Sequence, residues 1–327
     1  MPIHKIRAIR PAVRVLVTGG AGFIGSHIVE ALLLTGHEVA VLDNLSSGRR
    51  ENVPAAARFY QVDLRDREAT SRVFSDFGPQ RVCHQAAQAS VAISVREPHL
   101  DADINLIGGL NLLDACTARG SQVERVVFAS TGGAIYGEVP EGHRAGENTA
   151  PAPISPYAIH KLAFEYHLEV YRTHRQLPAT TLRYANVYGP RQDPHGEAGV
   201  VAIFFDRVLA RQALRVNARR AAGDAGCVRD YVFVSDVARA NLLALDGGLK
   251  ETVLNVGTGT ETSTQELAQQ IIRVVGQEVP IEFGPLRPGD IERSLLDPTR
   301  TQAALGALVS LADGLRKTYE FYAQRQR

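Results

Sequence analysis

The chain has 327 residues, 45% of them hydrophobic and 22% charged, which is enough apolar material for a large core and about two domains. A formal net charge of +1 gives no global reason to expect nucleic acid or a membrane as partner, and no stretch is apolar and long enough to span a bilayer. The three cysteines, Cys83, Cys116 and Cys227, are far apart with no CxxC spacing, which points to reduced thiols, a cytoplasmic setting and no structural metal.

The basic opening MPIHKIRAIRPAV lacks the apolar run of a signal peptide. Val13 to Val17 reads as a buried parallel strand. Gly19, Gly22 and Gly25 follow, and Ser26 to Thr35 reads as a helix. In a strand–turn–helix of this kind one glycine allows the tight turn, one lets backbone approach a pyrophosphate, and one lets helix and strand pack closely. The helix N-terminus adds unpaired N–H groups and a positive dipole end for phosphates. A dinucleotide site is therefore expected here.

His37 to Leu42 is the second strand and ends at Asp43, at nearly the spacing from the last glycine expected of the acidic residue on the adenosine ribose. A carboxylate there repels a 2′-phosphate and favours NAD over NADP, although Arg49 and Arg50 follow closely. Otherwise Asp43 simply ends a strand at the surface. Phe59 to Val62 is the third strand. Asp63 after it either accepts from the adenine amino group or caps the helix from Arg65 to Phe77. Arg81 to His84 leads into QAAQAS, whose small residues suit a loop lying against the nicotinamide. A helix from Leu100 to Arg119 carries Asn105, and Val126 to Ala129 is a strand ending in Ser130, Thr131, Gly132 and Gly133.

Glu138 to Pro156 reads as a loop. A helix from Pro156 to His174 is capped by Ser155, with proline in its first turn. Ala179 to Tyr184 is a further strand. Gln192 to Arg229 is rich in glycine, arginine and alanine, with one helix at Val200 to Arg211. Tyr231 to Leu245 is read as helical with Asp236 as its cap, and Val253 to Val256 as a strand returning to the main sheet. Helices at Ser263 to Gly276 and Leu311 to Gln324 complete the pattern. Alternating strands and helices specify a Rossmann-type, doubly wound parallel sheet in an α/β fold, with ligands outside the carboxyl ends of the strands. The expected division is residues 1–185, joined by part of 236–262, against a smaller C-terminal α/β substrate domain at 186–327.

Tyr157 and Lys161 are four apart, on one helix face. An ammonium within a few ångströms stabilises a phenolate and brings a tyrosine toward use as a base near neutral pH. Thr131 or Ser130 can hydrogen-bond the reacting hydroxyl. Pairs at this spacing also occur on many solvated helices; the dinucleotide turn and the Ser-Thr pair are what favour the catalytic reading.

TGGAGFIGSH, DNLSSG, VDLRD, HQAAQASV, FASTGGAIYG, SPYAIHK, LRYANVYGPR, GCVRDYVFVSDVA and RPGD together resemble the extended short-chain dehydrogenase/reductases, in their nucleotide-sugar epimerase branch. The resemblance covers nearly the whole chain. It implies tightly held NAD, a UDP-sugar substrate and a redox-neutral 4-epimerisation through a transient 4-keto sugar, with Tyr157 as base. It further assigns to the cofactor Gly19, Gly22, Phe23, Ile24, Gly25, Asp43, Asn44, Ser47, Gly48, Asp63, Leu64, Gln85, Ala86, Ala87, Ala89, Asn105 and Tyr184, with Tyr157 and Lys161. To the UDP-sugar it assigns Thr131, Asn186, Val200, Val201, Arg215, Asn217, Arg229, Arg287 and Asp290. Thr131 stands five before Tyr136, where most members have their assisting hydroxyl four before, so Ser130 is the alternate. Ala89 replaces a lysine found in some members. Ser294 falls where a bulky tyrosine restricts some, which leaves room for an N-acetyl group. The resemblance also implies a homodimer packed through helices at Leu100 to Arg119 and Tyr157 to His174.

Gly132 and Gly133 stand where a 4,6-dehydratase carries Asp-Glu. The alternatives that share the NAD and tyrosine machinery are a 4-epimerase for UDP-N-acetylglucosamine or UDP-glucuronate and a decarboxylase. A non-catalytic NAD-binding scaffold is the reading from another class.

Overall fold

The computed structural model describes residues 12–194, 199–286 and 289–325. Along the first half run β1 (Arg14–Thr18), α1 (Phe23–Leu34), β2 (Glu38–Asp43), β3 (Arg58–Gln61), α2 (Arg67–Phe77), β4 (Arg81–His84), α3 (Val91–Arg96) and α4 (Pro98–Ala102). A π-turn at Asp103–Ile107 leads into α5 (Gly108–Cys116), then β5 (Arg125–Thr131), α6 (Gly132–Ile135), α7 (Pro156–Arg175) and β6 (Ala179–Tyr184). Next come β7 (Asn186–Tyr188), α8 (Val200–Leu209), β8 (Leu214–Asn217), β9 (Val228–Phe233), α9 (Val234–Leu245) and β10 (Val253–Val256). The chain closes with β11 (Glu261–Ser263), α10 (Thr264–Val275), β12 (Ile281–Gly284), β13 (Arg293–Ser294), α11 (Thr299–Leu305) and α12 (Leu311–Arg325).

Seven strands form one sheet in the order β10-β6-β5-β4-β1-β2-β3. Central β1 pairs in parallel with both neighbours, Val15 opposite Val39 and Arg81. Val15, Leu16 and Val17 are wholly buried, as a strand covered by helices on both faces must be. One core packs Leu16, Val82, Val126 and Phe128 against Leu112, Leu113 and Phe164.

Two units emerge from the contacts within the chain. The first holds the residues up to Thr131 with Ser155–Arg183 and Ala238–Leu254; the second holds Gly132–Ile154, Tyr184–Val237 and the chain from Asn255 onward. The segment after β5 joins the second unit because its backbone bonds there: Val139 N–H to Arg293 O at 3.1 Å and Ala145 N–H to Leu295 O at 2.9 Å.

The structure corrects several local readings. Tyr231–Phe233 is the end of a strand, β9, and the helix begins at Val234. Asp236 does not cap that helix; it lies in the first turn, and its Oδ2 accepts from Val309 N–H at 2.8 Å. The helix expected at Leu100 to Arg119 is broken into α4, the π-turn and α5. Asp66, not Asp63, caps α2, accepting from Ala69 N–H. Among the described residues no helix is long and apolar enough to cross a membrane, and no cluster of side chains could hold a metal ion.

Candidate active site

The glycine turn is shaped by close approach of backbone. Gly19 has φ +68°, and a Cβ there would lie 2.6 Å from Ala86 N, so a side chain would collide with the loop after β4. A Cβ on Gly25 would lie 2.1 Å from Gly19 O, which is why α1 can begin against the turn. Gly22 is the N-cap; no side chain caps the helix and no acidic residue stands in its first turn. The amides of Phe23 and Ile24 open that turn. This end of α1 therefore carries its dipole unneutralised, and the cradle fits the pyrophosphate of NAD.

Asp43 is buried, its Oδ2 accepting from Ala21 N–H at 3.0 Å and its Oδ1 from Leu45 N–H at 2.8 Å. Burial raises its carboxyl above the ordinary range, with those two N–H groups pulling the other way. A carboxylate has about four acceptor sites, so two remain for ribose hydroxyls. The following loop, with Ser47 and Gly48, is stitched to the glycine turn by Arg49 N–H and Asn52 Nδ2, both bonded to Ala21 O at 3.0 Å. Arg50 is engaged elsewhere, stacked 4.6 Å from the Phe59 ring centroid and bonded to Val53 O. Arg49 faces Glu51.

Asp63 differs from expectation. It receives Arg65 N–H, Nε and Nη2 and the Nδ2 of Asn44, at 2.7–3.0 Å, a full complement for a carboxylate. An adenine amino group would have to displace one of them. The Arg65 guanidinium holds its carboxyl far below the ordinary range. Leu64 beside it is buried.

The loop after β4 is fixed on two sides. Gln85 Nε2 donates to Asn241 Oδ1 at 3.1 Å, and Ala86 N–H to Thr18 Oγ1 at 3.3 Å. Asn105 donates to Gln88 O at 2.9 Å and Asp101 Oδ1 at 3.0 Å while accepting from Gln88 N–H at 3.0 Å. Its amide thus braces the loop, with one acceptor site of Oδ1 remaining. Ala87 and Ala89 lie in the same loop, Ala89 exposed.

On α7, Tyr157 is half-buried and Lys161 fully buried. Ser155 caps this helix, accepting from Ala158 N–H, with Pro156 in the first turn. Lys161 Nζ donates to Ala129 O at 3.0 Å and lies 5.9 Å from the Tyr157 ring centroid. One turn further along, Glu165 accepts from Ser130 Oγ at 2.5 Å and from Arg183 through Nε at 3.0 Å and Nη2 at 2.6 Å. The end of β5 is therefore laced to α7 by two bonds. Ser130's only proton is committed to Glu165, whereas the Thr131 hydroxyl has no partner among the described residues. Of the two hydroxyls, Thr131 is thus the one whose proton is not already donated to a neighbour among the described residues. Glu165 is not singled out by the sequence reading; its place four residues after Lys161, on the same helix face, is the available signal.

Within the second unit, Tyr184 is buried at the end of β6 and Asn186 opens β7, opposite Tyr231. Val200 and Val201 are the first residues of α8. Arg215 and Asn217 converge: a Cβ on Gly284, in the paired strand β12, would lie 2.6 Å from Arg215 Nε and 2.5 Å from Asn217 Oδ1. Asp224 pre-forms the loop after Asn217, its carboxylate accepting from the N–H groups of Arg219, Arg220, Ala221 and Gly226 at 2.7–3.0 Å. Arg229 is half-buried, with Nη1 bonded to Val228 O, and pairs across the sheet with Ser294, which is buried. Asp290 is exposed, and Arg287 lies outside the described residues.

A family model for the NAD dependent epimerase/dehydratase family matches residues 15–257. The chain belongs to that family. It is 45% identical over 322 residues to the UDP-glucose 4-epimerase of Mycolicibacterium smegmatis, covering 95% of this chain and 99% of the relative. The crystal structure of Thermus thermophilus UDP-glucose 4-epimerase in complex with NAD superposes with a TM-score of 0.90 at 55% identity, over 95% of this chain and 99% of that one. The Thermotoga maritima UDP-glucose 4-epimerase with UDP-glucose gives 0.90 at 47% identity, over 96% and 100%.

Proposed function

We propose that this chain interconverts UDP-galactose and UDP-glucose by NAD-dependent 4-epimerisation. The observation that carries the reading is the lacing of α7 to the end of β5. It holds Tyr157 and Lys161 on the helix that also fixes Ala129 and Ser130, immediately before Thr131. Near full-length identity to several UDP-glucose 4-epimerases supports the substrate.

NAD, when bound, supplies a reversible hydride acceptor. Gly19, Gly22, Phe23, Ile24 and Gly25 would hold its pyrophosphate and Asp43 its adenosine ribose. Gln85 to Ala89 would flank its nicotinamide. Tyr157 takes the proton of the sugar 4-hydroxyl and later returns one, and the buried Lys161 ammonium favours the phenolate. Thr131 hydrogen-bonds that hydroxyl and holds it toward Tyr157. Asn186, Arg215, Asn217, Arg229, Arg287 and Asp290 would hold the UDP portion, the arginines through charge-assisted bonds to phosphate. The free cysteines accord with a cytoplasmic setting.

The assembly we propose is a homodimer. Val95, Ile107, Ile159, Tyr166 and Val170, on α3, the π-turn and α7, are each 46–62% exposed, an apolar surface that a second copy would cover. Light scattering on the purified chain tests it, a monomer refuting it.

Purified protein is incubated with UDP-galactose without added cofactor, and products are resolved by nucleotide-sugar chromatography. UDP-glucose should form, and Tyr157→Phe should lower the rate by about 10²–10⁴-fold. No conversion with NAD supplied refutes the reading.

A further inference from the structure

Asp101, on α4, is 0% exposed, yet it is a carboxylate. Such a group is costly to bury unless it is paired. Three side chains from separate segments meet it. Its Oδ1 accepts from Gln88 Nε2 at 2.6 Å and Asn105 Nδ2 at 3.0 Å, and its Oδ2 lies 2.6 Å from His160 Nδ1. The last contact needs the proton on Nδ1, because an ionised carboxylate can only accept. Asn105 also bonds both the N–H and the carbonyl of Gln88. His160 is adjacent to Lys161 and three residues after Tyr157 on α7.

We propose that Asp101 is a positioning residue that fixes the loop Gln85–Ser90 against the helix bearing Tyr157. The inference rests on the epimerase reading of those two elements. The helix cannot shift relative to the loop without stretching at least one of two short bonds on one buried carboxylate, Gln88 on the loop side or His160 on the helix side. The distance between the nicotinamide-facing loop and the catalytic phenol is thereby held without either residue touching substrate. Misplacement by about 1 Å far from the chemistry can lower a rate about 10²-fold.

The test compares the wild-type chain with His160→Leu, which removes the donor, and His160→Asn, which keeps an N–H donor close to the position of Nδ1. Gln88→Met removes the tie from the loop side with little change in volume. Steady-state rates with UDP-galactose give kcat and KM, and NAD released on acid denaturation gives cofactor held per chain. His160→Leu should lower kcat about tenfold with KM within about twofold, and both it and Gln88→Met should retain less NAD than wild type. His160→Asn should recover kcat to within about threefold of wild type. Wild-type kcat and NAD content in His160→Leu would overturn the proposal, as would equal losses in His160→Leu and His160→Asn. If His160→Leu does not fold, wild-type NAD content in Gln88→Met overturns it. Failure of the wild-type chain to convert UDP-galactose would refute the epimerase reading instead, and the NAD content of the variants would still decide whether the tie holds.

Discussion

Glu165 and Glu169 stand one turn apart on α7, each gripping an arginine by two nitrogens, and they should differ widely in what their loss costs. Glu165 and Arg183 have side chains 6% and 7% exposed; Glu169 and Arg172 are 53% and 43% exposed. Glu165→Leu leaves the Arg183 guanidinium buried without its carboxylate, a loss of about 3–5 kcal/mol. Glu169→Ala breaks a solvated pair worth less than about 1 kcal/mol. Against a total stability of about 5–15 kcal/mol, and with an unfolding entropy of about 0.7 kcal/mol/K for a chain of 327 residues, the first loss lowers Tm by about 4–7 °C. The penalty belongs to the stranded charge rather than to the missing bond. The double variant Glu165→Leu/Arg183→Met should therefore regain most of the loss. Urea unfolding followed by circular dichroism, arranged as a double-mutant cycle, measures each term. Should Glu165→Leu fall within about 1 kcal/mol of wild type, or the double variant prove no more stable than the single, the argument from burial is wrong.

The glycine turn offers a paired comparison. Gly19→Ala drives a methyl to 2.6 Å from Ala86 N at φ +68°, whereas the nearest atom to a Cβ on Gly22 is Gly19 O at 3.3 Å. Gly19→Ala should cost at least about 2 kcal/mol of stability and more than tenfold in NAD affinity by titration, with Gly22→Ala losing far less stability; equal losses would refute the packing account. Acid sensitivity should centre on His84, which burial, aided by the Lys161 charge, pushes down to about 3. Its folded pKa lies below the unfolded value near 6.5, so below that pH the unfolded chain binds the extra proton. Stability is full above pH 6.5 and falls by up to about 1.4 kcal/mol per unit toward pH 3. Urea midpoints should drop more steeply between pH 6.5 and 4.5 in wild type than in His84→Gln, and parallel slopes would refute it. Asp224→Ala unties the loop after Asn217 and should raise KM for UDP-galactose about 5–30-fold, from a loss of about 1–2 kcal/mol, with kcat little changed; an unaltered KM would refute the role of that loop.

The parallel sheet is legible because burial on both faces writes itself as short apolar runs. Arg81–His84, Ala179–Tyr184 and Val253–Val256 match the predicted strands residue for residue. Where β9 passes into α9 without a breaker, an apolar run alone cannot separate strand from helix, and Tyr231–Phe233 reads wrongly as helical. The short strands β7, β8, β11, β12 and β13, of two to four residues, are too brief to show a period. The site is legible by residue type but not by atom. Tyr157, Lys161 and the glycines stand out by type and spacing, yet only the folded chain reveals that Asp63 has all its acceptor sites filled and that the donors of Asn105 and Ser130 are already engaged by neighbours. Asp101 gives no signal because its partners Gln88 and His160 are far away in sequence.

The seventh strand arrives late. β10 completes the sheet beside β6, but Tyr184 and Val256 are 72 positions apart (256 − 184). During synthesis at about 5–20 residues per second, the flank of β6 therefore waits about 4–14 s for its neighbour to leave the ribosome. Throughout that interval a row of backbone donors and acceptors stands open to pairing with any other nascent chain. The interleaving that lets one sheet draw on distant segments thus makes translation itself the period of greatest exposure to aggregation.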